Sequence, residues 1–310
     1  MLSRKKYILA KIESTYGTDP TASGTNAIQT SNLQINPHQG NRVNRNLDKP
    51  TLGNSPDIAT GRYTTVSFDV EIAGSGTAGT APAYDCLLQG CALAPTVATG
   101  VSVTYAPVSA EAAMKSVTID FRIDGELHKL TGARGNVEIV LNKEQIPVYR
   151  FTFTGLHNDP TSPALVPPDF SGFQTPLPVT NTNTPTYTVD GFDVVAESLT
   201  VNFGNAVTYR NVVNSESVRI TGRDMRGQIV FEQEDVDDKD FYAIDRAETP
   251  VVINVVHGTA TGNIVQITAN QAQLMSPQLG DSDGLSIMTM AVNYTETATS
   301  GNDEISIVVK

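Results

Sequence analysis

Apolar and polar residues alternate with a period of two over much of the chain. In TVSFDVEI (65–72), Val66, Phe68, Val70 and Ile72 fall on one face, and Thr65, Ser67, Asp69 and Glu71 on the other. SVTIDFRI (116–123) sets Val117, Ile119, Phe121 and Ile123 against Thr118, Asp120 and Arg122; VYRFTFTG (148–155) sets Tyr149, Phe151 and Phe153 against Arg150, Thr152 and Thr154. One apolar and one polar face is what a half-buried antiparallel strand requires. Many such strands with few helices predict an all-β sandwich or barrel. Helical spacing occurs twice. In 81–93, Pro82 stands near a helix start and Tyr84, Leu87, Leu88 and Cys91 follow at i, i+3, i+4 and i+7. In 237–247, acidic residues fill a first turn and Phe241, Tyr242 and Ile244 supply the apolar side.

The pattern is interrupted once. Between Asn158 and Asp190 lie Pro160, Pro163, Pro167, Pro168, Pro176, Pro178 and Pro185, with the polar run NTNTPTYT. This composition predicts an extended connection, so the chain divides into 1–160, a connection at 161–190, and 191–310. A length of 310 residues accommodates about two domains of roughly 150 residues. The two parts echo each other. NLQIN (32–36) is answered by SLTVN (198–202), and TGRYTTVSFDVE (60–71) by TGRDMRGQIVFE (221–232), with Phe68 and Val70 opposite Ile229 and Phe231. The helix candidates follow at similar distances, then VSVTY (101–105) and VVINVV (251–256). Order, spacing and strand phase suggest a tandem duplication; the alternative is two unrelated β domains sharing generic alternation.

Composition narrows the function. The chain carries 33 acidic against 21 basic residues, a net charge of −12. A protein that grips nucleic acid by its phosphates should be basic, whereas a conduit for DNA should not hold it. Cys86 and Cys91, five apart, form no metal-ligand or redox spacing and are expected as buried thiols in a reducing compartment. The basic N-terminus MLSRKKYILA offers only a four-residue apolar run, short of the roughly 7–15 of a signal peptide, and no run approaches the ~18 of a membrane span. The expectation is a chain made in the cytosol without membrane association.

Candidate chemistry is thin. Gly74, Gly76 and Gly79 spell G-x-G-x-x-G, the dinucleotide fingerprint. Yet the preceding strand alternates, where a dinucleotide site follows a continuously apolar parallel strand. Pro82 delays the helix, and 96–110 holds no acidic residue for a ribose. A pliant link between strand and helix is the simpler reading. His38, His128, His157 and His257 are scattered without metal spacing. The acidic run Glu232, Glu234, Asp235, Asp237, Asp238 and Asp240 lacks the order of a calcium loop and reads as a solvated or protein-binding face. GDSDG (280–284) reads as a hairpin turn. No GxSxG nucleophile elbow occurs. No cofactor, metal or catalytic residue is expected.

YGTDPTASGTNAIQTSNLQINP (16–37), followed by DKPTLGNSPDIATGRYTTVSFDVEIAGSGTAGTAPAYDCLLQGCAL (48–93), closely resembles the major tail tube proteins of long-tailed bacteriophages. IDFRIDGELHKLTGARG (119–135) and QLMSPQLGDSDGLSIMTMAVNYTET (273–297) look like the paired strands of the same fold. The resemblance implies an all-β chain of two tandem β-sandwich or half-barrel domains, each with one short flanking helix. It implies sheets set side by side around a ring, rings stacked into a hollow tube through which DNA passes, a tape-measure protein inside during assembly, and a terminator at the end. Two domains per chain would let a trimer reproduce a six-domain circle. A β-sandwich binding module, such as an adhesin or a capsid decoration protein, is the alternative.

The candidate contact residues lie in two clusters. The loop at 37–62, rich in Gly, Asn and Pro, carries Arg42, Arg45, Lys49 and Arg62 against Asp48 and Asp57. A loop longer than about 12–15 residues is commonly functional, and contact between stacked rings is its expected role. Its cations are expected to meet the acidic run Glu232–Asp240 of an adjacent subunit or ring; the alternative is that both clusters are merely solvated.

Overall fold

The structure, a computed structural model, describes residues 2–297 and 301–310. Strands account for 51% of the chain and helices for 5%, so the fold is all-β. The two α-helices are short: Asp85–Gly90 buries Leu87 and Leu88, and Phe241–Ala247 buries Phe241.

The first half builds its sheet in one order from edge to edge: Ala27–Ile28, Lys6–Ile12, Val117–Ile123, Glu126–Asn142, Val148–His157, Tyr63–Glu71, Ser31–Gln39. The second half runs Phe192–Asp193, Thr186–Val189, Val251–His257, Val265–Ser282, Leu285–Tyr294, Arg226–Glu232, Ala196–Asn202. Every neighbour is antiparallel, and the chain visits corresponding positions in the same sequence. The echo between NLQIN and SLTVN is kept in register. Gln34 faces Ser67 and Thr200 faces Gln228, so Leu33 corresponds to Leu199 and Phe68 to Ile229, all buried. Each half then places its helix after the corresponding strand, Tyr63–Glu71 or Arg226–Glu232.

One equivalence expected from the sequence is corrected. The counterpart of Val251–His257 is Val117–Ile123, not the stretch 101–105. Ser102–Pro107 instead forms a hairpin with Leu93–Ala98, and it pairs with Ser306–Val309, which also pairs with Val265–Ser282. Alternation reports a half-buried strand but not its neighbour.

The halves share one hydrogen-bonded network that curls like a barrel wall, with pairings that branch rather than return to a single ring. Glu126–Asn142 leaves Val148–His157 on one side and pairs on the other with Ala196–Asn202, matching Glu138 with Asn202, Ile139 with Val201 and Leu141 with Leu199. Ile139, Leu141, Leu199 and Val201 are all buried there. A second-half hairpin, Asn205–Val212 with Ser215–Arg223, lies over the first half. Asn205 Nδ2 donates to the carbonyls of Cys91 and Gly135 at 2.9 and 3.1 Å. The Tyr16 hydroxyl accepts from the Val218 amide at 2.6 Å while the Arg134 guanidinium stands 5.4 Å from its ring. Glu13, also buried, accepts from Gly17 N, Ser116 Oγ, Thr118 Oγ1 and Gly132 N. A buried carboxylate is costly unless its oxygens are filled in this way. It fixes the turn that presents Tyr16.

One continuous apolar core runs through both halves, with an aromatic cluster in each. Phe68, Phe151 and Phe153 interlock in the first, with ring centroids 5.7 to 6.1 Å apart. Phe231 meets Phe241 at 4.7 Å in the second. The proline-rich connection carries little regular structure but is pinned along its length. Tyr7 donates to the Val166 carbonyl at 2.6 Å, and Phe173 and Val179 pack on the core. His257 Nε2 donates to the Leu177 carbonyl at 3.1 Å while its Nδ1 accepts from the Thr184 hydroxyl at 2.9 Å.

Burial holds the His257 imidazole below its ordinary pKa of 6.5, with the Leu177 carbonyl opposing. As pH falls, the unfolded chain takes the proton first. The stabilisation is therefore complete above about 6.5 and is lost as pH drops from there through the lower folded value. Urea midpoints are expected to fall between pH 7 and pH 5, and His257→Gln should flatten that dependence. An equal slope in the variant would remove His257 as the titrating group.

Candidate assembly surfaces

The glycine-rich stretch is packed, not pliant. Gly74 N donates to Asn263 Oδ1 at 2.6 Å and Gly76 N to the Gly262 carbonyl at 2.9 Å. A Cβ on Gly79, whose φ is +72°, would stand 2.3 Å from Gly100 N. The first-half strand–helix link therefore nests against the 258–263 turn of the second half and against the hairpin bend near Gly100. Gly74 and Gly79 are required by neighbouring backbone, and a Cβ on Gly76 would meet the Gln174 side chain, so the stretch is packed rather than open as a phosphate cradle. The helix opens at Asp85, behind Tyr84, whose hydroxyl donates to the Ala73 carbonyl at 2.7 Å.

No three His, Cys, Asp or Glu side chains come together as a metal site among the described residues. Cys91 is buried and Cys86 half-buried, both as free thiols. Burial pushes the Cys86 thiol up to about 12, and its Sγ donates to the Ala10 carbonyl at 3.5 Å. A cavity of about 580 Å³ opens beside the junction of the halves, lined by Leu141, Thr180, Tyr187, Leu199 and the Lys143–Glu197 ion pair at 2.6 Å.

The loop at 37–62 is a projecting hairpin, with Arg42–Asn44 paired to Asp57–Ala59. Arg42, Arg45, Asp48, Lys49, Asp57 and Arg62 are all exposed. Asp57 accepts from Asn44 Nδ2 at 2.8 Å, and Lys49 Nζ donates to the Asn54 carbonyl at 2.6 Å. Among the described residues no ion pair involves Arg42 or Arg45, so their charge is available at the surface. The loop's base rests on the other hairpin: Arg62 N donates to the Tyr209 hydroxyl at 3.3 Å, and the Tyr63 and Tyr209 rings are 5.0 Å apart.

The acidic run is partly structural. Asp240 caps its helix, accepting from Ala243 N at 2.8 Å and pairing with Arg246 at 3.3 Å. Asp235 accepts from the Asp237 amide at 3.0 Å and folds the turn. Glu232 and Glu234 are half-buried, whereas Asp235, Asp237 and Asp238 are exposed. Among the described residues no ion pair joins this run to the loop.

The exposed surface also carries apolar side chains. Val43, Leu47, Leu52 and Ile58 stand exposed on the loop, Val213 at the tip of the second hairpin, and Leu279 and Leu285 near the end of the last long hairpin. The signal that could have found the first four is apolar residues inside a Gly-, Asn- and Pro-rich loop.

Compared with known proteins, residues 3–306 match the family described as phage tail tube protein. The chain belongs to this family. No curated protein matches it. The phage tail tube family is a structural component of the virion tail, and its members associate with themselves into a tube. No helix among the described residues is long and apolar enough to cross a membrane.

Gly79→Ala should cost about 2–4 kcal/mol in urea unfolding, because a left-handed φ and a backbone clash add. Titration with a nicotinamide dinucleotide should leave the intrinsic tyrosine fluorescence of the unaltered protein unchanged; saturable binding would return the glycines to a nucleotide role.

Proposed function

We propose that the chain is a tandem pair of tail-tube domains, 1–160 and 191–310 joined through 161–190, with the end of that connection, Thr186–Val189, serving as a strand of the second sheet, and that three copies close a ring of six equivalent halves. Rings stack into the hollow tube of a phage tail, and DNA passes through the lumen without specific binding. The observation that carries this is the shared strand order of the two halves together with the sheet that runs from the first into the second. A head-to-tail contact that repeats by a constant rotation closes into a ring. A net charge of −12 suits a conduit that repels phosphates on average. The same reading makes a tape-measure protein the occupant of the lumen during assembly, a terminator the cap of the last ring, and the host cytoplasm the place of the unassembled subunit. The role is structural, with no catalysis.

The loop at 37–62 is the proposed contact between subunits or stacked rings, with Arg42, Arg45 and Lys49 meeting Asp235, Asp237 and Asp238 of a neighbour. One exposed ion pair contributes only about 0–1 kcal/mol, but the contact recurs at every subunit of a ring.

Electron microscopy of the purified protein should show hollow tubes with a regular ring repeat. Discrete particles that never polymerise would favour an adhesin or decoration module instead. Arg42→Glu with Arg45→Glu should reduce tube length at least about tenfold, and reversing Asp235, Asp237 and Asp238 to Lys as well should partly restore it. Tubes of unchanged length in the first variant would sink the charge pairing.

A further inference from the structure

Among the described residues, two of the open strand edges have a covered counterpart in the junction inside the chain, which says what should cover them. The edge of Glu126–Asn142 at 138–142 is filled by Ala196–Asn202. Its counterpart in the second half is the end of Val265–Ser282. Tyr63–Glu71 and Arg226–Glu232 correspond through Ser67 and Gln228; their partners then make Val148 correspond to Ile287, and Val140 to Gly280. The counterpart of Ala196–Asn202 is Ser31–Gln39, with Leu33 for Leu199 and Ile35 for Val201. Among the described residues, Ser31–Gln39 pairs only with Tyr63–Glu71, and the 278–282 end of Val265–Ser282 only with Leu285–Tyr294.

We propose that the 278–281 edge of one subunit pairs antiparallel with the Leu33–Asn36 edge of the next, in the register Gln278 to Asn36, Leu279 to Ile35, Gly280 to Gln34 and Asp281 to Leu33. This inference rests on the ring reading and specifies its seam.

Backbone phase agrees with this register. In the internal junction the odd-numbered residues exchange hydrogen bonds, since Phe203 N donates to the Val137 carbonyl and Lys143 N to the Glu197 carbonyl. By correspondence the outward amides are those of Leu33, Ile35, Leu279 and Asp281. Side chains agree as well. Ile139 is 0% exposed beneath Val201, whereas Leu279 is 59% exposed, as expected of a core position awaiting its cover. Covering Leu279 removes exposed apolar surface at every junction.

The two junctions differ where the residues differ. Pro37 stands at the position of Phe203 and has no amide, so the new ladder ends before it. Asp281 replaces Leu141, which leaves that end wetter. Lys6 Nζ already donates to the Leu33 carbonyl, as lysines often do to blunt an edge; the second lone pair of that oxygen stays free for the Asp281 amide. Beyond Pro37 the chain enters the exposed hairpin at 42–59, just as beyond Phe203 it enters the hairpin that lies over the first half. The seam therefore also directs the loop across the neighbouring subunit.

Asn36 and Gln278 would be a non-hydrogen-bonded pair, with Cα atoms about 4.5 Å apart, within disulfide range. Both are exposed, and native Cys86 and Cys91 are held as protonated thiols by burial. Asn36→Cys with Gln278→Cys, assembled under reduction and then treated with diamide, should give a covalent trimer on a non-reducing gel. The diagonal pair Gln34→Cys with Gln278→Cys should yield at least about tenfold less, its Cα atoms lying about 7–8 Å apart. Leu279→Asp should block ring formation, while Leu165→Asp, equally exposed on the connection, should not. Tubes without the in-register cross-link, or with Leu279→Asp assembling like Leu165→Asp, overturn the seam and leave the tube reading standing. Absence of rings in the unaltered protein overturns both.

Discussion

The five-residue ladder between Glu126–Asn142 and Ala196–Asn202 is the constraint on which the molecule's arrangement depends. It turns two sheets into one wall and sets how the second half sits against the first. Backbone pairing is strict in this role, because slipping one residue would send Leu199 and Val201 to the polar face and expose the core. The side chains around it lock that register. Asn205 bonds two first-half carbonyls, Tyr16 accepts from Val218, and Arg223 donates to the Val108 carbonyl at 3.3 Å. The Asn205 bonds are buried, where an unfilled partner would be expensive.

The YGTDP segment acquires a physical role from this arrangement. Glu13 gathers four donors from the turn, from Val117–Ile123 and its flank, and from the bulge in Glu126–Asn142. Tyr16 is thereby held under the second-half hairpin. A stretch recognisable by its spelling thus works as the peg between the halves. The glycine stretch behaves similarly, since Gly74, Gly76 and Gly79 are sites where two backbones touch.

Strands were legible wherever one face is buried and the other wet: Tyr63–Glu71 and Val148–His157 announce themselves by period two. The two helices were legible by spacing, but their starts lay a few residues later than expected, at Asp85 and Phe241. The Asp283–Gly284 turn was readable from its residues, both of which adopt positive φ. The partners of strands were not readable, because alternation carries no address. Val103 and Tyr105 meet Val309 and Ile307 more than two hundred positions away, and nothing local marks that choice. The candidate surface was half legible. The charges of the 37–62 loop were visible, whereas the open edge at Leu279 became visible only beside its buried counterpart Ile139.

The pairing of Ser102–Pro107 with Ser306–Val309 has a consequence for how the chain is made. A growing polypeptide emerges over seconds, and the hairpin of Leu93–Ala98 with Ser102–Pro107 has no outer partner until the far strand has been synthesised. Contacts of such sequence separation form late and slowly. Until then one edge of that hairpin stays open. Long-range pairing thus ties the completion of an early hairpin to the synthesis of a late strand.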